Sequence, residues 1–143
     1  AVSAQNGGMM AVTWVLGIDI GQRKTGLAIG QSMTGLAKPL ALLKIPVRTL
    51  QAAHFQSYIK EWKVNAVVIG LPRLADGKAH PLQAEIQRIA EALRQAYQLP
   101  VHYADEMLSS HEARQRFGKR EEYDSAAAAV MVESYFAENS YRI

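Results

Sequence analysis

The spacing of the hydrophobic positions changes along the chain and separates strand-like parts from helix-like parts. Three β-rich apolar stretches come first, at residues 12–20, 24–29 and 37–45, and short connections join them. That order predicts three antiparallel strands in a meander. Residues 65–71 are almost wholly apolar, which predicts a strand covered on both faces. Residues 100–104 predict a fifth strand.

Helical spacing begins after Pro46, with an imperfect apolar stripe over residues 50–62. A clear stripe with steps of three and four follows over residues 82–97. An S-x-x-E pattern predicts a short helix over residues 109–117, and a last helix is predicted over about 124–138. The order βββαβαβαα predicts an α/β protein of the RNase H-like fold, in which a mixed sheet is flanked by helices.

The length of 143 residues predicts one domain. We expect residues 1–9 to be a disordered tail or a cloning remnant, and residues 10–143 to form the single domain. Because 49% of the residues are hydrophobic and 20% are charged, the chain can bury a core. No apolar run approaches the roughly 18 residues that span a bilayer, so we expect no membrane partner.

The absence of cysteine excludes disulfides, thiolate zinc sites and cysteine nucleophiles. It is compatible with a reducing compartment, and we expect a cytoplasmic protein. The net charge of +3 is only mildly basic. It is compatible with a polyanionic partner such as nucleic acid but does not require one.

Acidic residues stand at three positions where they could act together. Asp19 ends an apolar strand and precedes Gly21, which leaves space for a ligand close to the backbone. Asp105 and Glu106 follow the fifth predicted strand, and in an extended chain their side chains point to opposite faces. Asp124 stands at the front of the last predicted helix. The alternatives are that Asp19 caps a turn, that one of the adjacent acids faces solvent, and that Asp124 is an N-cap.

A cluster of carboxylates repels itself unless cations neutralise it. Hard divalent cations take carboxylate and water oxygens as ligands. Two such ions about 4 Å apart can activate water for phosphodiester cleavage and stabilise the leaving oxygen. The other candidate chemistries are weaker, since the four histidines lack metal-ligand spacing and no serine stands in a G-x-S-x-G pattern.

Three groups of basic residues could bind substrate phosphates at that edge: one in the turn after Asp19, one in the loop after residues 70–72 and one just before Asp124. For any single one, an ordinary solvated charge is the simpler interpretation. The candidates are Arg23, Lys24, Arg73, Lys78, Arg114, Arg116, Lys119 and Arg120.

Four ordered motifs resemble the YqgF family, also called RuvX, of RNase H-like nucleases. They are LGIDIGQRKTGLAIGQSMTGLAKPL, VVIGLPRLADGKAHPLQAEIQRIAEAL, YADEMLSSHEA and YDSAAAAVMVESYF, and they cover nearly everything from Val15 to Phe136. The resemblance implies an endonuclease that processes the 5′ end of precursor 16S rRNA, with Holliday junction resolution as the alternative. It implies Mg²⁺ or Mn²⁺ held by Asp19, Asp124 and an acid of the Asp105–Glu106 pair, for which we expect Glu106.

Two departures from the family pattern keep other functions open. Met107 stands where the family usually has arginine, and the loop over residues 117–123 is short and lacks the usual Lys-Gly pair, for which Lys119 or Arg120 could substitute. A non-catalytic module that binds RNA, a ribosome precursor or a protein is therefore one alternative. An actin-like nucleotide-binding protein is another, since it shares the D-x-G-x-x-x-x-G pattern, but the chain is short for that architecture. RNA against DNA and monomer against homodimer stay open.

Overall fold

One mixed five-stranded sheet, with strand order β3-β2-β1-β4-β5, organises the chain. A computed structural model describes residues 13–72, 80–105 and 120–139, with the backbone alone for Asp105, residues 120–124 and Asn139. The strands are β1 Trp14–Ile20, β2 Thr25–Gln31, β3 Leu36–Leu43, β4 Ala66–Leu71 and β5 Val101–Asp105.

The pairing of the strands brings several of their carboxyl ends to one edge. β1 pairs antiparallel with β2, and β2 antiparallel with β3, which is the predicted meander. β1 pairs parallel with β4, and β4 parallel with β5. The carboxyl ends of β1, β3, β4 and β5 therefore lie together, and we call this side of the sheet the carboxyl edge.

Helices cover both faces of this sheet. Between β3 and β4 the chain forms two 3₁₀ turns, Val47–Thr49 and Ala52–Phe55, and the short helix α1, Gln56–Trp62. The longer helices are α2, Gln83–Tyr97, and α3, Arg120–Asn139. The apolar stripe over residues 50–62 predicted a single helix, and this prediction is wrong for the residues before Gln56. A local cause is visible there, since the Gln51 amide donates to His54 Nδ1 at 3.0 Å and closes a tight turn.

The last helix begins at Arg120, four residues before the predicted start. Arginine and glutamate are good helix formers, and Glu121 and Glu122 lie in the first turn, where negative charge is favoured. Asp124 therefore lies inside the helix, and its interpretation as an N-cap is wrong. The predicted short helix over residues 109–117 and the predicted boundary at residue 10 lie outside the described residues and stay predictions.

Alternate side chains of the central strands enter two separate cores. Leu16, Ile18 and Ile20 of β1 pack on one face with α1 and α2. The α2 side chains in that core are Ile86, Ile89, Ala90 and Leu93. Val15 faces the other side and packs with Met131 and Val132 of α3. The predicted burial of β4 on both faces is confirmed, because every residue from 66 to 70 is buried.

Glycines in β1 and β2 allow α3 to approach the sheet closely. A Cβ atom at Gly17 would lie 2.9 Å from the carbonyl oxygen of Ala128 and 2.3 Å from Val132 Cγ2. A Cβ atom at Gly30 would lie 2.5 Å from Val132 Cγ1. The helix contributes small residues at this contact, because Ala126 to Ala129 are all buried. Among the described helices, none is long and apolar enough to cross a membrane.

We expect Gly17→Ala to lower the free energy of unfolding by about 1–3 kcal/mol, because β-branched Val132 and a backbone carbonyl cannot move aside easily. Urea denaturation measures the change. Val132→Ala in the Gly17→Ala background removes the nearer contact but leaves the Ala128 carbonyl, so it should recover part of the loss relative to Val132→Ala alone. Wild-type stability of Gly17→Ala would show that the helix can move away at no cost.

Candidate active site at the carboxyl edge

Asp19 lies at the carboxyl edge, on the face of the sheet that α3 covers. It is the next-to-last residue of β1 and is half-buried. It shares its face with Val15 and Gly17, both of which contact α3. Its antiparallel partner is Gly26. The corresponding residue of β4 is Gly70, one position after the Ile18–Ile69 pair. Neither of these two neighbouring strand positions contributes a side chain beside the Asp19 carboxylate.

The turn after Asp19 holds basic residues at the same edge. The Gly21 amide donates to the Lys24 carbonyl at 2.9 Å, and a Cβ atom at Gly21 would lie 2.9 Å from that oxygen. Gly21 therefore allows a tight turn, whose tip includes Arg23. Arg23 is exposed, whereas Lys24 is half-buried.

The last residue of β5, Asp105, lies two strands from Asp19. Asp105 is opposite Leu71 of β4, at the carboxyl ends of both strands. Because neighbouring strands are about 4.8 Å apart, roughly 10 Å separates the backbones of β1 and β5 at this edge. The even-numbered residues of β5 face α3, since the His102 ring stacks on Tyr135 and Ala104 packs in the α3 core. Glu106 lies outside the described residues.

Helix α3 crosses the sheet with its first half at the carboxyl edge. Ser125 Oγ donates to the carbonyl of Ala41, near the end of β3, at 2.8 Å. Ala128 lies over Gly17 in β1. Tyr135, further along the helix, stacks on the ring of His102 near the start of β5, with ring centroids 5.4 Å apart.

Asp124 is brought to the same edge by this crossing. It lies one helical turn before Ala128 and thus on the same face of the helix. Because Ala128 lies over Gly17, the turn before it approaches the end of β1, where Asp19 lies. The backbone positions of three predicted site residues, Asp19, Asp105 and Asp124, therefore share the carboxyl edge.

The donors at this edge fit a hard divalent cation. The candidates are carboxylates, and the partly buried setting of Asp19 makes an isolated negative charge costly unless a cation or hydrogen bonds compensate it. No group of three or more metal-binding side chains is found among the residues whose side chains the structure describes. Asp105, Glu106 and Asp124 are not among those.

The remaining predicted residues fall into two groups. Arg120 is the first residue of α3, and only its backbone is described. Outside the described residues lie Arg73, Lys78, Met107, Arg114, Arg116 and Lys119. The histidines at 54 and 80 have local structural roles, because their Nδ1 atoms accept from the Gln51 and Leu82 amides at 3.0 Å.

Two contacts that shape this edge were missed by sequence reasoning. Gly17 leaves the space that lets α3 lie close to the sheet, and the Ser125 hydroxyl bonds the first part of α3 to β3. A glycine within a buried strand is a signal of close approach and could have been noticed. Ser125 gives no such signal, because its partner, Ala41, is distant in the sequence.

The chain is similar to known proteins over most of its length. The model of the RuvX family, described as Holliday junction resolvase, matches residues 13–138. The chain belongs to the RuvX family. The family expected from the four sequence motifs is thereby confirmed.

Members of the RuvX family in bacteria match most of the chain. A Bordetella pertussis protein is 35% identical over 121 residues, which are 85% of this chain and 91% of that protein. An Azotobacter vinelandii protein is 36% identical over 132 residues, which are 87% of this chain and 93% of that protein. Both bear the name "Putative pre-16S rRNA nuclease".

Solved structures confirm the predicted RNase H-like fold of this RuvX member. Thermus thermophilus RuvC in complex with a Holliday junction substrate superposes with a TM-score of 0.59 and 16% identity, over 90% of this chain and 96% of RuvC. The fowlpox virus Holliday junction resolvase superposes with a TM-score of 0.57 and 13% identity, over 88% of this chain and 99% of the resolvase. At these identities the likeness shows the fold alone.

We expect Ser125→Ala to lower the free energy of unfolding by about 1 kcal/mol, because the Ala41 carbonyl loses its buried donor. Amide hydrogen exchange should become faster in the first half of α3. Ser57→Ala is the matched control, since Ser57 is exposed on helix α1 and gains the same helix propensity. Equal stability of the two variants would contradict a structural role for the Ser125 hydroxyl.

Proposed function

We propose that this RuvX member is a metal-dependent endonuclease that hydrolyses phosphodiester bonds in structured nucleic acid. The single observation that supports it most is the meeting of β1, β5 and α3 at the carboxyl edge, each with an acidic residue at that point. Family membership adds to it, because the matching family is one of resolvases and the named relatives are nucleases.

The metal ligands in this proposal are Asp19, Glu106 and Asp124, with Mg²⁺ or Mn²⁺ as the ion. Glu106 is preferred to Asp105 because the even-numbered residues of β5 face α3, as Asp19 does. Bound divalent ions would supply Lewis-acid activation of water and stabilisation of the departing oxygen. Water adds to the phosphorus, the bond to the bridging oxygen breaks, and the products are a phosphomonoester and a hydroxyl.

The other residues of the site bind and orient the substrate. Arg23 and Lys24 lie in the turn that follows Asp19, where a phosphate next to the metal would be. Arg73, Lys78, Arg114, Lys119 and Arg120 are proposed as further phosphate contacts. These cations bind the phosphate backbone of the nucleic acid and make no base-specific contacts, so substrate specificity depends on the shape of the nucleic acid.

The proposed substrate is the 5′ region of precursor 16S rRNA, as in the names of the relatives. The protein would then act in the cytoplasm on ribosome precursors. A four-way DNA junction is the second candidate, because the family description is that of a Holliday junction resolvase. A resolvase acts on two strands in symmetric positions, so this second function requires a homodimer.

We expect Asp19→Asn and Asp124→Asn each to lower metal-dependent cleavage by at least about 100-fold, because even partners outside the ligand shell cost roughly 10–100-fold. The assay follows a labelled 5′ precursor 16S rRNA fragment and a four-way DNA junction with Mg²⁺ or Mn²⁺. The preferred substrate distinguishes the two candidate roles.

Glu61→Gln is the matched control for this assay, because Glu61 is an exposed carboxylate at the end of α1, on the opposite edge of the sheet. Cleavage that survives Asp19→Asn unchanged would contradict the acidic-cluster mechanism. Binding of either substrate without cleavage under any metal would favour the non-catalytic module.

We expect Glu106→Gln to lower cleavage as much as Asp19→Asn does, and Asp105→Asn to lower it less than about tenfold. The physical reason is the alternation of side chains along β5. The comparison uses the same cleavage assay and the same Glu61→Gln control. The reverse order of effects would mean that the alternation ends after Ala104, as at a β-bulge.

A further inference from the structure

A concave surface lies at the carboxyl edge, on the face of the sheet opposite Asp19. Its volume is about 620 Å³. We call it the Arg48 cleft, and the described residues that line it are Gln22, Arg23, Lys44, Pro46, Val47, Arg48 and Leu82. Gln22 and Arg23 of the turn after β1 form one side of the cleft, so this turn lies between the cleft and Asp19. Leu82, just before α2, forms another part of its lining.

The lining of the Arg48 cleft is strongly basic. Arg23, Lys44 and Arg48 contribute three exposed cations, and no acid is found among the described residues that line it. The nearest acidic position on α2, Glu85, is paired with Arg88, whose Nε lies 2.7 Å from the carboxylate. The cleft is therefore suited to a ligand with several negative charges.

The backbone that carries these cations is held in place from two sides. The Val47 amide donates to the Gln22 carbonyl at 2.9 Å, which attaches the segment to the turn after Asp19. Arg88 of α2 donates to the carbonyls of Val47 at 3.0 Å and Leu50 at 3.1 Å. A surface that is already ordered loses less entropy when it binds a ligand.

We propose that the Arg48 cleft binds phosphodiester groups of the substrate strand to one side of the cleavage position. Arg23 lies at the boundary with the metal site, and Lys44 and Arg48 bind phosphates further along the strand. Arginine suits this role because its guanidinium can donate two parallel hydrogen bonds to one phosphate. The proposal rests on the proposed nuclease function and adds Lys44 and Arg48 to its substrate contacts.

Arg48→Gln is the decisive variant, because Arg48 is exposed and its loss leaves the packing intact. We measure binding by fluorescence anisotropy, without metal, with the Asp19→Asn protein and the same labelled precursor rRNA fragment and four-way junction. Arg48→Gln in this background should weaken binding on the order of tenfold at moderate salt. The slope of log K against log salt concentration should fall by about 0.7–0.9, the loss of one phosphate contact.

Lys60→Gln in the same background is the matched control. Lys60 is an exposed cation on α1, one turn from Lys63, which lines a separate cleft at the opposite edge of the sheet. It should leave both the affinity and the salt slope unchanged. Arg48→Lys retains the charge and should recover the slope while recovering only part of the affinity.

The outcomes separate this proposal from the proposed function. If Arg48→Gln binds as tightly as Lys60→Gln and with the same slope, while the wild type cleaves, the cleft proposal fails and the nuclease proposal stands. If Arg48→Gln weakens binding but the wild type never cleaves, the Arg48 cleft is a nucleic-acid-binding surface and the nuclease proposal fails. If the protein binds neither nucleic acid, both proposals fail.

Discussion

The close contact between α3 and the middle of the sheet is the constraint on which the site depends. Gly17 and Gly30 leave space that Val132 and the Ala128 carbonyl fill. Any side chain there would push the helix outward. The same displacement would move the first turns of α3, which include Asp124, relative to the end of β1. The packing of the core therefore fixes where this candidate site residue lies on the sheet.

The direction of α3 is fixed by contacts near both of its ends. The hydroxyl of Ser125 bonds to β3, and the ring of Tyr135 stacks on β5. Between them, the Ala37 amide donates to Glu133 Oε2 at 2.9 Å. The helix is therefore attached to β3 at two positions and to β5 at one. These contacts bring its first turns, and not its last, toward the carboxyl ends of the strands.

The strands and α2 could be predicted from the sequence because their signals are local and strong. The wholly apolar run of β4 and the regular stripe of α2 allow few other structures. The start of α3 could not be predicted, because the preference of Asp124 for an N-cap competed with the helix-forming residues before it. The 3₁₀ turns were missed because two contacts act together: the local bond from the Gln51 amide to His54, and the bonds from the distant Arg88 to the carbonyls of Val47 and Leu50.

The acidic residues of the candidate site could be selected from the sequence, whereas the basic cleft beside them could not. Acids at the ends of predicted strands can be recognised in a sequence. The topology of parallel strands then brings these ends to one edge. Lys44 and Arg48 were not singled out, since an isolated basic residue is usually a solvated charge. Their position next to the Asp19 turn depends on the bond between the Val47 amide and the Gln22 carbonyl. Through this bond the cations on one face of the sheet keep a fixed position relative to Asp19 on the other. Local arrangement of charge, and not the net charge of +3, therefore makes this edge suitable for a polyanionic strand.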